Sequence, residues 1–254
     1  MGAAATRWAE ELEGWAIPDE ILAQAPESPW GFPPELFAAP ADPMQTLSRD
    51  RALEALSGGG SVIDVGCGGG AAGLALVPPA TSVVGVDESS GMLATFERAA
   101  DERGVAYRSV EGRWPDVASD AGRADVVVCH HVFYNVADLE PFATALTEAA
   151  SYRVVVELTA THPMTTSAPL WQHFWNLDRP DGPSAVLAAD VLRDLGINVH
   201  VDQWSRPPRD VPREVYVRMN RRRLCLPADA EAEVDRVMSP TSWPRDVATL
   251  WWDV

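Results

Sequence analysis

The chain has 254 residues and carries 37 acids against 20 bases, a formal net charge of −17 with a pI near 4.6. A chain this long buries a sizeable core, and a hydrophobic fraction of 46% belongs to a globular protein rather than a disordered one. The charge has the wrong sign for nucleic acid or an anionic membrane surface, and no stretch approaches the ~20 apolar residues of a membrane span.

Residues 1–45 are rich in Pro, Ala and Trp and read as a lid segment, with a short amphipathic piece over Trp8–Trp15 and a proline-broken loop around 26–34. This start is too acidic for a signal peptide. Helical spacing resumes at Met44, Leu47, Ala52, Leu53 and Leu56 and stops at Gly58-Gly59-Gly60. From residue 61, short apolar runs alternate with helical segments. Strands are expected at Ser61–Val65, Ser82–Val86, Ala106–Val110, Asp125–Cys129, Arg153–Leu158, Asn198–Trp204 and Val247–Trp252. Helices are expected at Gly91–Arg103, Leu139–Ala150 and Ser184–Leu195, the first and last closed by Gly104 and Gly196. The pattern implies βαβ units and one domain: a core over 46–204, an arginine-bearing helical insertion over 205–245, and a last strand over 246–254.

Cys67, Cys129 and Cys225 lie far apart with no C-x-x-C pairing. A disulfide framework and a zinc site are both disfavoured, no metal is expected, and a reducing cytoplasm is the expected compartment.

The first strand runs into Val62-Ile63-Asp64-Val65-Gly66-Cys67-Gly68-Gly69-Gly70-Ala71. Glycine lets a backbone turn tightly and lets a ligand come close, at the strand end where open α/β sheets bind ligands. The stretch fits G-x-G-x-x-A, the dinucleotide fingerprint, with Asp87 near the distance expected for a ribose-binding acid. It fits D-x-G-x-G-x-G equally, and Asp64 separates the two: a carboxylate two residues before the first glycine is unusual in a nicotinamide site.

The second strand ends in Asp87-Glu88, with Met92 opening the next helix. Val110-Glu111-Gly112-Arg113-Trp114-Pro115 follows, then Val126-Val127-Val128-Cys129-His130-His131-Val132-Phe133-Tyr134-Asn135. These four motifs, in this order, resemble the class I S-adenosylmethionine-dependent methyltransferases of the small-molecule type. The resemblance covers roughly residues 45–204 plus the terminal strand. It implies a Rossmann-like α/β fold: a seven-stranded, mostly parallel sheet with an antiparallel last strand and helices on both faces. It implies S-adenosyl-L-methionine as cofactor, S-adenosyl-L-homocysteine as product, and methyl transfer to a small molecule, with a homodimer left open. The cofactor residues it implies are Arg49, Asp64, Gly66, Cys67, Gly68, Gly70, Asp87, Glu88, Met92, Gly112, Arg113, Trp114 and His130. Asp87 would take the ribose hydroxyls, Met92 would pack on adenine, and Gly112–Trp114 would meet the adenine edge.

A hydroxyl acceptor must lose a proton, and neutral imidazole is the natural base. His130 and His131 are the candidate catalytic residues, with His130 nearer the cofactor and His131 in a packing or hydrogen-bonding role. Alternation along a strand would send them to opposite faces if the strand continued through both. The Asn/Asp-Pro-Pro-aromatic signature of DNA amino-methyltransferases is absent here. Tyr134, Glu157, His162, Trp171 and Trp175 are the candidate substrate residues, the tryptophans forming either an aromatic lid or anchors for accessory segments. Arg221-Arg222-Arg223 is either a salt-bridged surface or an anion site. A nicotinamide oxidoreductase and a cofactor-binding module without turnover stand as the alternatives.

Overall fold

A computed structural model of the chain describes residues 2–30, 44–206, 212–238 and 245–254. Parts of the expected lid (31–43) and of the expected insertion (207–211, 239–244) lie outside the described residues. The apolar runs form β1 (Gly60–Val65), β2 (Ala80–Asp87), β3 (Ala106–Glu111), β4 (Ala124–His130), β5 (Ala150–Thr159), β6 (His200–Arg206) and β7 (Arg245–Asp253). They make one seven-stranded sheet ordered β3-β2-β1-β4-β5-β7-β6, parallel except for β7, which runs antiparallel between β5 and β6. The order reverses between β1 and β4, so their carboxyl ends open a crevice where loops diverge to either side.

Ten helices surround the sheet among the described residues. They are α1 (Ala3–Glu13), α2 (Asp19–Leu22), α3 (Leu47–Ala55), α4 (Ser90–Arg103), α5 (Ala118–Ala121), α6 (Leu139–Ala149), α7 (Ala168–Trp175), α8 (Ala185–Asp194), α9 (Arg213–Arg223) and α10 (Glu231–Val237). Local signals set several boundaries. Thr46, Ser89 and Ser184 accept main-chain N–H bonds as N-caps of α3, α4 and α8, and Gly104 ends α4 in the left-handed region. The sixth strand starts at His200 rather than Asn198, because the chain is still closing α8: Ile197 N–H bonds to the Leu192 carbonyl. Helix α7 was not expected from the sequence.

Two cores lie against the sheet. One joins Ile63, Val127 and Val156 to α1, α6 and α8 through Trp8, Phe142 and Leu192; the other joins Val62, Val83 and Val128 to α3 and α4 through Ala52 and Phe96. A third cluster sits apart, built from Ile17, Ile21, Leu170, Trp171, Val217, Leu224 and Val234. It knits α2, α7, α9 and α10 into a cap. Among the described residues, no helix is long and apolar enough to cross a membrane.

Candidate active site

The glycine turn is pinned at the end of β1. Gly66 N–H and Cys67 N–H both bond to the Val86 carbonyl, at 2.8 and 3.0 Å. Gly66 sits at φ +68°, and a Cβ there would lie 2.3 Å from Val132, so only glycine fits. Asp64, buried on β1, accepts from Gly73 N–H at 2.7 Å and ties down the far side of the turn. Burial pushes its carboxyl up to about 7, against a hydrogen bond that favours the charge. Asp87 ends β2 and accepts from Gly68 N–H through one oxygen and Ser89 N–H through the other, both at 2.9 Å. Each oxygen keeps a lone pair for a further donor.

These groups line one cavity of about 1700 Å³. Arg49, Asp64, Gly66, Cys67, Gly68, Asp87, Glu88, Met92, Gly112, Arg113, Trp114 and His130 all border it. Gly70 does not. It faces the α4 core, where a Cβ would meet Leu74 at 2.6 Å and Phe96 at 2.8 Å, so packing rather than ligand access requires glycine there. Arg49 is held by its Nε, which donates to the Ala75 carbonyl at 2.8 Å.

Both histidines reach this cavity, against strict alternation. Strand β4 ends at His130, and His131 turns to φ +61° with its N–H bonded to the Glu157 carbonyl. That reversal brings His131 Nε2 to 3.0 Å from Glu157 Oε1. Glu157, buried on β5 beside His130, also accepts from the guanidinium of Arg206 on β6. Burial opposes its charge, but the two histidines and Arg206 outweigh that and hold the carboxyl well below the usual carboxylate range. His130 is pushed down to about 4, chiefly by burial, and is neutral near pH 7; its Nε2 has no partner among the described residues.

A family model described as a methyltransferase domain matches residues 62–155, from β1 into β5. Over those residues the chain is a methyltransferase domain. Two ubiquinone biosynthesis O-methyltransferases resemble this methyltransferase domain. The one from Azorhizobium caulinodans is 35% identical over 81 residues, 32% of each chain, and the one from Methylococcus capsulatus is 35% identical over 94 residues, 36% of this chain and 39% of that protein. The matches thus span 32% and 39% of those relatives' lengths. Magnesium protoporphyrin IX methyltransferase from Synechocystis PCC 6803, solved with bound S-adenosylhomocysteine, shares the fold at TM-score 0.52 and 14% identity, over 81% of this chain and 80% of that one.

Accessory segments from outside the matched residues complete the cavity, some of them packing on Tyr134 from within the match. Tyr134 is buried, donates its hydroxyl to the Thr159 carbonyl at 2.6 Å, and stacks on Trp8. His162 stacks on Trp15 at 4.5 Å; burial, helped by Arg223, depresses it to about 3. Its Nδ1 accepts from Met164 N–H, so the neutral ring carries its proton on Nε2. Trp171 and Trp175 stand elsewhere than the substrate role expects. Neither borders the cavity: Trp171 is buried in the cap cluster beneath Arg179, and Trp175 donates its indole N–H to the Leu224 carbonyl. Of the two readings open for them, anchoring is the one this placement matches. The aromatic wall comes instead from Trp15 and Trp30, with Tyr216, Met219 and Arg223 of α9 and Arg206 of β6. No motif marks these residues; the Trp-rich start and the arginine triplet were their only signals.

Proposed function

We propose that the protein transfers a methyl group from S-adenosylmethionine to a hydroxyl of a small organic acceptor, leaving S-adenosylhomocysteine. The observation that carries this reading is the His131–Glu157 pair, which opens into the same cavity as the glycine turn. The cofactor side suits the group: a turn that excludes a Cβ at Gly66, Cys67 and the side-chain-free Gly68 bordering the cavity, and a carboxylate with spare lone pairs at Asp87. Asp87 would take the ribose hydroxyls, with Glu88 beside it. Met92 and Trp114 would pack on adenine, Gly112 and Arg113 would meet its edge, Asp64 would hold the turn, and Arg49 would meet the amino-acid carboxylate.

When bound, the cofactor supplies a sulfonium-activated methyl carbon. The chain supplies alignment, a dry site and proton removal. His131 bonds the Glu157 carboxylate through Nε2, so its neutral form carries the proton there and leaves Nδ1 as the base. Glu157 orients the ring and stabilises the imidazolium, and Arg206 fixes Glu157. His130 stays neutral and fills the floor beside them. The names of the two curated relatives support a hydroxyl acceptor. Three buried, unpaired cysteines support a reducing cytoplasm.

Isothermal titration with S-adenosylmethionine and S-adenosylhomocysteine tests the cofactor. Saturable binding of both is expected, weakened about 100-fold in Asp87→Ala through loss of a charge-assisted contact to two hydroxyls. A folded protein that binds neither overturns the reading.

A further inference from the structure

The arginine triplet on α9 divides into two jobs. Arg221 and Arg222 both reach Glu27, at 2.6 and 3.3 Å, and Arg222 also donates to the Ser28 carbonyl. They clamp the end of the N-terminal segment onto the cap. Arg223 points the other way. Tyr216, Met219 and Arg223 share one helix face, three and four residues apart, and all three border the cavity. Among the described residues no carboxylate pairs with Arg223; its guanidinium instead lies 3.8 Å from the ring centre of Trp30.

The other two cations nearby are already engaged. Arg206 is neutralised by Glu157. Arg179 donates to the carbonyls of Gly14 and Ala16, at 3.0 and 2.8 Å, and stacks over Trp171. Burial, helped by the positive field of Arg179, lowers the Arg223 guanidinium to about 10. A mostly buried cation beside a second cation is costly unless a counter-charge arrives. Trp30 lies against Arg223, and Trp15, Met164 and Met219 add apolar side chains to the same cavity. A guanidinium pairs best with a planar, bidentate anion.

We propose that Arg223 is an anion subsite in the acceptor half of the cavity, and that the acceptor is a planar aromatic carboxylate. This rests on the reading of that half as the acceptor site. The carboxylate would take the guanidinium edge while its ring lies among the tryptophan and methionine side chains, leaving the hydroxyl end of the molecule free to face His131.

The test uses the full chain saturated with S-adenosylhomocysteine and titrated with benzoate and with benzamide, a neutral analogue of the same shape. Wild type should bind benzoate at least tenfold more tightly than benzamide. Arg223→Gln should abolish that preference while binding S-adenosylhomocysteine as wild type does, which also reports that it is folded. Arg223→Lys, which keeps the charge but not the fork, should retain part of the preference. Equal binding of benzoate and benzamide by wild type, including binding of neither, overturns the subsite; so does a preference that survives in Arg223→Gln. Loss of S-adenosylhomocysteine binding by wild type would instead remove the cofactor reading, and is scored separately.

Discussion

The two halves of the cavity are built by different means. The half proposed for the cofactor is local: the glycine turn, Asp87, Met92 and Gly112–Trp114 follow the ends of sheet strands, and main-chain N–H groups bonded to carbonyls and to Asp64 and Asp87 fix the turn. The half proposed for the acceptor is assembled from distant pieces, with Trp15 and Trp30 from the start of the chain, His162 after β5, and Arg223 from the far end of α9. Its cohesion comes from side chains reaching across, such as the Trp15 indole to the Gly182 carbonyl and Arg221 to Glu27. A strand end can place a ligand contact through backbone geometry alone. A cap built from remote segments must be held by its own small core, and that core is separate from the two that flank the sheet.

Variants can break this division in turn. The largest effect is expected at the seam. His131→Ala should lower kcat about 1000-fold, within the usual range for loss of a general base, while the S-adenosylhomocysteine affinity measured by titration stays unchanged. Retained turnover would remove His131 as the base. Next is the cap. Trp171→Ala removes a side chain 2% exposed in the third cluster and should cost about 3 kcal/mol by denaturant unfolding. It should leave cofactor affinity within twofold; a large loss of cofactor binding would show that the halves are not separable. Smallest is Asp64→Asn, read by chemical unfolding at two pH values. The folded carboxyl titrates near 7, above its ordinary 3.8, so the folded state holds its proton longer and loses stability as pH rises between those values. Asn keeps an oxygen for Gly73 N–H without that charge. The variant should therefore exceed wild type by about 2 kcal/mol at pH 8 and by less at pH 5, and an equal difference at both would refute the assignment.

The same division governs what was legible in the sequence. Buried parallel strands read as Val/Ile runs and tight turns as glycine clusters, so the sheet, its order of elements and many of the positions that border the cavity emerge from short windows. Gly70 shows the limit even there: the motif includes it, yet its φ of +85° and its contact with Phe96 serve packing. The two histidines show another. Alternation holds only while the strand continues, and nothing in the sequence announces that His131 turns back at φ +61°. Trp171 and Trp175 are aromatic and follow β5, which leaves a lid and an anchor equally open in the sequence. Whether such a residue faces a ligand or a neighbouring helix depends on α7, α9 and α10 packing together, a tertiary fact with no local signature. Arg206 carries no signal as a site residue for the same reason, and Arg223 is marked only as part of a triplet that reads equally as a salt-bridged surface or an anion site.

The position of Arg223 has a kinetic side. The molecule carries −17 overall, and exposed Glu10, Glu13 and Glu88 border the cavity that holds this guanidinium. An anion approaching from solvent is repelled at long range and attracted only once inside, within the roughly 8 Å over which physiological salt leaves a charge unscreened. Salt therefore acts on the two stages in opposite directions, hastening encounter as it weakens the final contact. Entry by a negatively charged acceptor is gated by ionic strength rather than steered by the net charge of the protein.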